Sequence, residues 1–405
     1  MRSVQRFSRY CGIDVGKNKH VACVLDAEGA FMVKPFGVGN DAAGYRQLIE
    51  RLANAGGPTE VLVGLEATGC YWYSLHEYLV KQGYRVIVLN PIQTAGQVRK
   101  GIRKSQNDKI DARHIAMLIR SGEGRAALVP ADLGMICRQL TRLRYNLVGQ
   151  AMRTKLVLWS RLHPVWPEYE GLFYKPLCQT GQALLAATPT PADVLALDRE
   201  ALVALLRRVS RGRFAEAKAD AIRASATGSI GMRRGLDGAR LSIRTLLAQL
   251  AAMRPVRRQL EGDITALLEQ VPAYLRTLPG AGPLQIVSLY GEMDPFEPFR
   301  SPEQLVAFAG LDLVVQESGQ FQGSRRHISK RGSPFLRRTL WQMALRAAYT
   351  EGDLREFFLR KRREKLHHLA AITAVSIKLC HVIWRIMTDK RDYLPKRPAP
   401  PLVRA

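Results

Sequence analysis

Short apolar runs alternate with helix-like stretches in the N-terminal part of the chain, and this alternation limits the folds open to it. The runs have the length and composition of buried strands, and glycine or proline ends several of them. Strands are expected within 10–27, 60–66 and 84–91, and helices at 74–83 and 110–121. Because alternating strands and helices form a sheet covered by helices, residues 1–125 are predicted to be an α/β domain.

The middle of the chain has the pattern of long helices. Apolar residues recur there at intervals of three and four, which is typical of an antiparallel coiled coil or a dimer contact. They are Leu133, Ile136, Leu140, Leu143, Leu147, Ile243, Leu246, Leu250, Met253, Leu260, Ile264 and Leu267. Residues 126–270 are therefore predicted to be a helical coiled-coil linker and dimerisation region, with 165–235 as an insert of short helices.

A third, mainly α-helical domain is expected at 271–390, before a tail at 391–405 whose composition favours disorder. Its LPGAGP stretch looks like the turn of a helix-hairpin-helix. Gly280 and Gly282 would let backbone N–H groups at a helix N-terminus bind a phosphate without recognising the base. An ordinary turn between two helices is the alternative.

The chain is strongly basic, with 61 Lys and Arg residues against 35 Asp and Glu and a formal net charge of +26. This excess points to a polyanionic partner, usually nucleic acid, although an acidic membrane surface would also attract it. No apolar run reaches the roughly 18 residues that a membrane span needs, and the N-terminal segment lacks the apolar core of a signal peptide. A cytoplasmic protein is therefore expected.

Three common kinds of site are not indicated by the sequence. The six cysteines are scattered, without a CxxC pair or a histidine at zinc-ligand spacing, so reduced thiols are expected rather than disulfides or a zinc site. The chain has no GxxxxGK[ST] motif, which excludes a P-loop ATPase.

Four acidic residues form the most informative pattern. Asp14 interrupts an apolar strand and Glu66 ends another. Asp108 and Asp111 are three residues apart, and they share a helix face if the helix predicted from about 110 begins a few residues earlier. Carboxylates on three elements of one α/β domain are typical of a divalent-metal site, because Mg²⁺ prefers oxygen ligands and keeps substrate phosphates in its shell. Two such ions about 4 Å apart can stabilise the attacking and leaving oxygens at a phosphate.

Each of these acids also has an ordinary explanation. Glu66 could lie at a turn, Asp108 could cap its helix, and Asp111 could pair with a basic neighbour on the surface. Asp14 is harder to explain in this way, because an unpaired carboxylate inside an apolar strand is costly. The order of strand Asp, strand-end Glu and helical DxxD favours the metal site.

The acids and their surroundings resemble the transposases of the IS110 family and the related Piv-type DNA invertases. At the N-terminal end the similarity lies in GIDVGKNKH around Asp14, GLEATGCYW around Glu66, VLNP and NDKIDARHIA. In the C-terminal third it lies in LPGAGP, FRSPEQLVAFAGL, ESG and ISKRGSPFLRR. The resemblance covers residues 10–125 and 270–350, and the middle is similar only in being helical.

This resemblance implies a RuvC-like N-terminal domain of the RNase H fold, in which the same four acids form a catalytic DEDD set that binds Mg²⁺, or Mn²⁺ in its place. It also implies a C-terminal transposase domain with a nucleophilic serine before a glycine, eight residues after the glycine of the AGL motif. That glycine is Gly310, which makes the serine Ser318. One departure is Leu313, where the family commonly has proline, which changes the stiffness of this loop.

Taken alone, Ser318 has the sequence context of a turn residue, and Ser324, Ser329 and Ser333 are rival hydroxyls nearby. No histidine is an obvious general base for it. Two basic segments lie close to the candidate chemistry, and contacts to nucleic-acid phosphates are favoured for them over solvated faces. They contain Arg99, Lys100, Arg103 and Lys104, and Arg325, Arg326, Lys330 and Arg331.

The activity implied by the resemblance is that of an insertion-sequence transposase, which cuts and rejoins donor and target DNA through a phosphoserine intermediate. An element-encoded bridge RNA would select the sites by base pairing, and the protein would act as a homodimer or tetramer at the bacterial nucleoid. The alternatives are a Piv-like site-specific invertase, a RuvC-like junction endonuclease that uses water, and a non-catalytic nucleic-acid binder. The presence of all four acids counts against the last.

Overall fold

The computed structural model describes residues 7–91, 108–124, 126–313, 317–318, 321–322 and 327–395, with the backbone alone at 317–318 and 321–322. The chain forms two compact units, Met1–Val129 and Pro130–Ala405. Most of the tail predicted to be disordered, residues 396–405, lies outside the described residues.

A mixed five-stranded sheet forms the centre of the first unit. The strands are β1 (Arg9–Asp14), β2 (Lys19–Leu25), β3 (Phe31–Gly39), β4 (Val61–Glu66) and β5 (Arg85–Leu89), in the order β3-β2-β1-β4-β5. β2 is antiparallel to β1 and β3, whereas β4 is parallel to β1 and β5. The predicted α/β domain is confirmed, and its sheet is compatible with the RuvC-like fold that the resemblance implied.

Helices cover both faces of this sheet. They are α1 (Ala42–Asn54), the short α2 (Gly57–Glu60), α3 (Trp72–Lys81) and α4 (Asp108–Arg120). Leu48 of α1 and Leu75 of α3 share a buried core with Ile13 and Val63 of the sheet. α4 lies on the opposite face, where Ala112 belongs to a separate buried cluster with residues of β2. The sheet therefore has two apolar faces.

Two elements of this unit, β3 and α1, were not predicted. β3 is an edge strand that contains Pro35, a residue that edge positions tolerate because it cannot donate to a neighbouring strand. Phe31 and Met32 at its start are exposed, so the strand lacks a regular apolar alternation. α1 begins after Asp41, whose side chain accepts a hydrogen bond from the Gly44 N–H.

Two helices of 31 residues each dominate the start of the second unit, α5 (Asp132–Leu162) and, further along the chain, Leu236–Ala266. Arg144 in the first half of α5 pairs with Glu261 in the last turns of the other helix at 2.8 Å. Leu158, near the end of α5, shares a buried core with Ile243, near the start of the other, so the two helices run antiparallel. The helical middle is confirmed. The coiled-coil seam stays a prediction, because Ile136 and Leu143 are exposed in the single chain.

Short helices connect the two long ones, as the Pro- and Gly-containing insert predicted. They are a 3-10 turn (Pro167–Leu172), α6 (Gln179–Ala187), α7 (Pro191–Ala196), α8 (Arg199–Ser210) and α9 (Glu216–Thr227), so the second long helix is α10. Trp166 and Tyr169 are fully buried among them. The insert therefore has its own apolar core.

The rest of the second unit is mainly helical, as predicted. It contains 3-10 turns at Leu267–Glu269 and Ala273–Thr277, α11 (Pro283–Met293), α12 (Pro302–Phe308), the hairpin of β6 (Glu317–Ser318) and β7 (Phe321–Gln322), α13 (Pro334–Ala347), α14 (Asp353–Arg363) and α15 (His368–Asp389). α15 has the length and mean hydropathy of a membrane span. Its Ile372, Val375 and Leu379 are buried within the unit, as in the central helix of a domain core.

Candidate active site

Asp14 and Glu66 occupy equivalent positions at the ends of neighbouring parallel strands. Ile13 of β1 is paired with Leu65 of β4, so the last residues of the two strands, Asp14 and Glu66, follow in the same register. Residues in register on parallel strands about 4.8 Å apart point to the same face. Ile13 and Leu65 point into the core beneath α1 and α3, so the two carboxylates belong to the face that α4 covers.

Two glycines allow α4 to approach this face closely. A Cβ on Gly12 would lie 2.1 Å from the Ala112 carbonyl oxygen, and one on Gly64 would lie 3.0 Å from a methyl carbon of Ile115. Gly12 and Gly64 precede Asp14 and Glu66 by two residues on the same strands, and so share their face of the sheet. The glycines thus fix the position of α4 next to the carboxylates.

The first turn of α4 carries the other two acids, Asp108 and Asp111. Ala112 and Ala116 pack over Gly12 further along the helix, so the acidic first turn lies towards the strand ends that hold Asp14 and Glu66. Acidic residues at a helix N-terminus are stabilised by the helix dipole. The helix N-terminus thus stabilises these two acids locally, and the packing of α4 on the sheet brings them towards Asp14 and Glu66.

The four acids interact through their charges. The pKa of Asp14 is raised to about 6, chiefly by burial and then by repulsion from Asp111, Asp108 and Glu66. Burial also raises the pKa of Asp111, with further contributions from Glu66 and Asp108 that His114 partly offsets. Among the described residues, no Lys or Arg contributes to either of these pKa shifts, so repulsion between the carboxylates is the main interaction within the cluster.

This donor set fits a divalent cation in its chemistry, because carboxylates that repel one another are stabilised when an ion supplies positive charge. As the side chains stand, no three or more His, Cys, Asp or Glu residues of the described ranges are close enough together to hold one ion. The acids are thus coupled electrostatically, and the structure does not show a completed ligand cage.

A basic cleft lies beside the acids, between α4 and β3. It is an open cleft of about 560 Å³, lined by Phe31, Lys34, Pro35, Lys109, Ile110, Arg113, His114 and Met117. The guanidinium carbon of Arg113 lies 5.2 Å from the centre of the Phe31 ring, in a cation–π contact. Positive charge next to an aromatic ring is the combination that single-stranded nucleic acids bind.

Ser318 lies in the other compact unit, at the end of β6. Its backbone pairs with that of Phe321 in β7, so only two residues separate the strands of this hairpin. Leu313 forms an isolated bridge with Ile328. Gly310 and Gly332 lie close to each other, since a Cβ on Gly332 would be 2.4 Å from the Gly310 nitrogen. The segments that lead into and out of the hairpin are therefore packed together.

Two of the rival serines have structural partners. Ser329 donates its hydroxyl hydrogen bond to Asp312, and Ser333 donates one to Glu292 at 2.9 Å while capping α13 by accepting from the Leu336 N–H. Ser324 lies outside the described residues. The hydroxyls of Ser329 and Ser333 are thus already engaged in holding the fold.

The predicted nucleic-acid contacts have different outcomes. Lys330 and Arg331 are exposed, whereas six other basic residues lie outside the described ranges, namely Arg99, Lys100, Arg103, Lys104, Arg325 and Arg326. Gly280 has a positive φ of 74°, and a Cβ there would lie 2.2 Å from the Met343 carbonyl oxygen. This glycine therefore has a packing role beside α13, and the helix-hairpin-helix stays a prediction, since a five-residue 3-10 turn precedes it.

Comparison with known protein families gives two matches. A transposase model named for the DEDD transposases of IS110 matches residues 11–167, and a model described as "Transposase IS116/IS110/IS902 family" matches residues 273–359. The two models describe the two ends of one kind of protein, and they occur here in order and without overlap. The chain belongs to the IS110 family of transposases. The first match contains the four acids and the second contains Ser318.

Relatives of this IS110-family transposase extend over nearly its whole length. The chain is 26% identical over 399 residues to a 44.8 kDa protein of insertion element IS116 from Streptomyces clavuligerus, covering 96% of this chain and 97% of the relative. It is 24% identical over 402 residues to a 42 kDa protein of IS900 from Mycobacterium paratuberculosis, covering 95% and 97%. A transposase for IS1111A from Coxiella burnetii is 30% identical over 122 residues, which is 29% of this chain and 33% of that protein.

Family membership makes this chain an insertion-sequence transposase, an enzyme class that cuts and rejoins DNA. The prediction of the family from sequence motifs is therefore confirmed. Sequence reasoning missed Gly12 and Gly64, although each stands two residues before an acid that it singled out. It also missed the basic cleft, because β3 was not predicted. His114 was missed as well, although it follows Asp111 by three residues on one helix face; its Nδ1 is buried, without a hydrogen-bond partner in the described residues.

Proposed function

We propose that this IS110-family transposase breaks and joins phosphodiester bonds with the four acids as its metal-binding catalytic set. The observation that carries the proposal is the packing of α4 against β1 and β4, which brings its acidic first turn towards the strand ends that hold Asp14 and Glu66. The raised pKa of Asp14, caused by burial and by repulsion from the other three carboxylates, supports it. Carboxylates that repel one another are stabilised when a cation binds between them.

Asp14, Glu66, Asp108 and Asp111 would hold Mg²⁺, with Mn²⁺ as a substitute. When bound, the ion would lower the pKa of an attacking hydroxyl and stabilise the charge on the leaving oxygen. The acids would hold the ion at the first turn of α4 and so determine where the scissile phosphate binds. The basic cleft beside them would hold the adjoining strand through Lys34 and Arg113.

We infer further that Ser318 is the nucleophile. Its Oγ would attack the phosphorus, a serine–phosphate ester would form, and one DNA hydroxyl would leave with the proton. The reverse reaction with a hydroxyl from another strand would rejoin the DNA and release the serine. Support comes from the match of the second family model to this region and from the structural engagement of Ser329 and Ser333.

An element-encoded bridge RNA is proposed as a second nucleic-acid partner. The net charge of +26 would attract RNA as well as DNA. A guide RNA would leave sequence recognition to base pairing while the protein binds phosphates and shape. A homodimer or tetramer is also proposed, since strand exchange between two duplexes needs several active sites. Exposed apolar residues on α5, among them Ile136, Leu143 and Leu156, would be covered in such an assembly.

The test combines purified protein, Mg²⁺, DNA carrying the element's end, and RNA transcribed from its flank. A denaturing gel would detect a covalent protein–DNA adduct in the wild type. Both Ser318→Ala and Asp14→Asn should abolish the adduct, for lack of a nucleophile and of a metal ligand respectively. Glu50→Gln is the matched control, because Glu50 is an exposed acid on α1, and it should leave the adduct unchanged.

The other outcomes separate the alternatives. An adduct that persists in Ser318→Ala would assign the nucleophile to another hydroxyl, with Ser324 the first to test. Cleavage without any adduct would favour the junction endonuclease. Formation of the adduct at full rate without RNA would favour a Piv-like invertase over an RNA-guided transposase.

A further inference from the structure

A small cleft lies in the C-terminal unit between α5, α11 and α13. Three arginines and no acidic residue line it, together with Tyr145, Phe335 and several uncharged polar side chains. All of the lining side chains belong to the same compact unit. Neither the four acids nor Ser318 takes part in this cleft, so the proposed chemistry does not account for it.

Two arginines pack against two aromatic rings along one wall of the cleft. The guanidinium carbon of Arg142 lies 4.5 Å from the centre of the Phe335 ring, and that of Arg338 lies 4.3 Å from the centre of the Tyr145 ring. The two rings meet edge to face at 4.9 Å. Because the rings already pack against one another and against guanidinium groups, they are poorly placed to stack on a nucleobase.

The three arginines differ in their acidic partners. Arg142 makes two hydrogen bonds to the buried carboxylate of Glu292, at 2.7 and 2.9 Å, and Arg144 pairs with Glu261 at 2.8 Å. Arg338 forms no ion pair with any described acid, although it is half-buried. No described acid occupies the guanidinium of Arg338, so its N–H groups are the donors that an arriving anion would use.

Two glutamines supply neutral donors beside Arg338. The Oε1 of Gln285 accepts a hydrogen bond from the Gly282 N–H at 3.2 Å, which leaves its –NH₂ group as the end that can donate into the cleft. Gln342 follows Arg338 by one turn on α13 and also lines the cleft. The cleft thus offers one guanidinium and two amide donors, and no carboxylate lines it. Such a set of donors can hydrogen-bond to the oxygens of a phosphate group.

We propose that this cleft binds one phosphodiester group of a nucleic-acid backbone, with Arg338 as its charged ligand and Gln285 and Gln342 as hydrogen-bond donors. The proposal rests on the nucleic-acid-directed function proposed above. The contact is independent of base sequence, and it holds the strand at a second point on the protein, apart from the acids. Duplex DNA and single-stranded RNA share this chemistry, and the experiment distinguishes them.

The test measures the affinity of the full-length protein for a labelled DNA duplex and for a labelled single-stranded RNA, by fluorescence anisotropy. Salt is varied from about 50 to about 200 mM, and EDTA prevents cleavage. Loss of one phosphate contact reduces the slope of log affinity against log salt by about 0.9 for duplex DNA or about 0.7 for a single strand. Arg338→Gln should show this reduction and a loss of affinity of about eightfold or fivefold at 0.1 M salt.

Arg355→Gln is the matched control. Arg355 is an exposed arginine of α14 in the same unit, outside the cleft, and it pairs with Glu351 at 3.9 Å. Arg355→Gln removes one positive charge, as Arg338→Gln does. Its slope should equal that of the wild type. The nucleic acid whose slope changes in Arg338→Gln identifies the occupant of the cleft.

Gln342→Glu keeps the contact of Arg338 with Tyr145 and places a carboxylate in the cleft, so it tests the proposal if Arg338→Gln fails to fold. It should weaken binding in the same way.

Slopes of the variants that equal the wild-type slope with both nucleic acids would overturn the inference, while the proposed function would stand. If the wild type bound neither DNA nor RNA, both this inference and the proposed function would be rejected. If the slope changed in Arg338→Gln but the wild type formed no covalent adduct with DNA, only the serine chemistry would be rejected.

Discussion

Gly12 of β1 lies against the backbone of Ala112 in α4, so closely that a Cβ at position 12 would be 2.1 Å from the Ala112 carbonyl oxygen. Asp14 follows this glycine by two residues, and Asp111 immediately precedes that alanine. The contact therefore sets the distance between a strand acid and a helix acid of the candidate site. Any side chain larger than hydrogen at position 12 must move the helix.

Gly12→Ala should lower the free energy of unfolding by about 1–3 kcal/mol, the usual cost of overpacking a core, and should also reduce DNA cleavage because Asp108 and Asp111 move with α4. Chemical denaturation measures the first effect. Gly262→Ala is the control, because nothing lies within 4 Å of its added Cβ inside α10. That variant should be slightly stabilised, since alanine favours a helix by about 1 kcal/mol over glycine. Equal effects of the two substitutions would contradict the role of Gly12.

The raised pKa of Asp14, about 6 against an ordinary value of 3.8, gives a pH dependence with a defined sign. The folded chain binds this proton more tightly than the unfolded chain, so stability falls as pH rises from about 4 to about 6. Without divalent ions, Asp14→Asn should therefore be more stable than the wild type at pH 7.5, by roughly 1 kcal/mol after solvent screening is allowed for. The difference should vanish near pH 4, and a less stable variant at pH 7.5 would contradict the electrostatic account.

Divalent cations should stabilise the wild type by binding to the folded acids alone. An excess of Mg²⁺ or Mn²⁺ at about 100 times its dissociation constant adds about 2.7 kcal/mol, which thermal unfolding would show as a higher midpoint. Asp14→Asn should lose most of this shift, whereas Ser318→Ala should keep it, because the serine is not proposed as a ligand. An equal shift in both variants would place the cation elsewhere.

The buried carboxylate of Glu292 holds α11 against α5 and α13. Its side chain is 1% exposed, and it accepts hydrogen bonds from Arg142 and from Ser333. Arg142→Ala would leave this charge without its main partner and should lower the free energy of unfolding by about 3 kcal/mol. Lys81→Ala breaks the exposed pair with Glu77 and should cause no measurable change by the same assay. A small effect of Arg142→Ala would mean that Ser333 alone can satisfy the carboxylate.

Local sequence was sufficient to place each acid on its element. Glu66 ends β4 as predicted, whereas Asp14 ends β1 instead of interrupting it, and α4 begins at Asp108 rather than near 110. Apolar runs and helix-start signals depend on near neighbours in the chain, so they locate an element more surely than its ends. The motifs around them were specific enough to identify the family. The hairpin at Ser318 was not foreseen, since its strands are two residues long and carry no periodicity.

Only the tertiary structure decided which of these elements meet. β4 pairs with β1 although about 50 residues separate them, and nothing in either strand alone specifies that neighbour. The charge coupling of the four acids, the cleft between β3 and α4 and the contact of Arg338 with Tyr145 all depend on such long-range packing. Sequence periodicity records which face of an element is apolar, but the partner of that face is chosen by the fit of whole surfaces, as at Gly12 and Ala112.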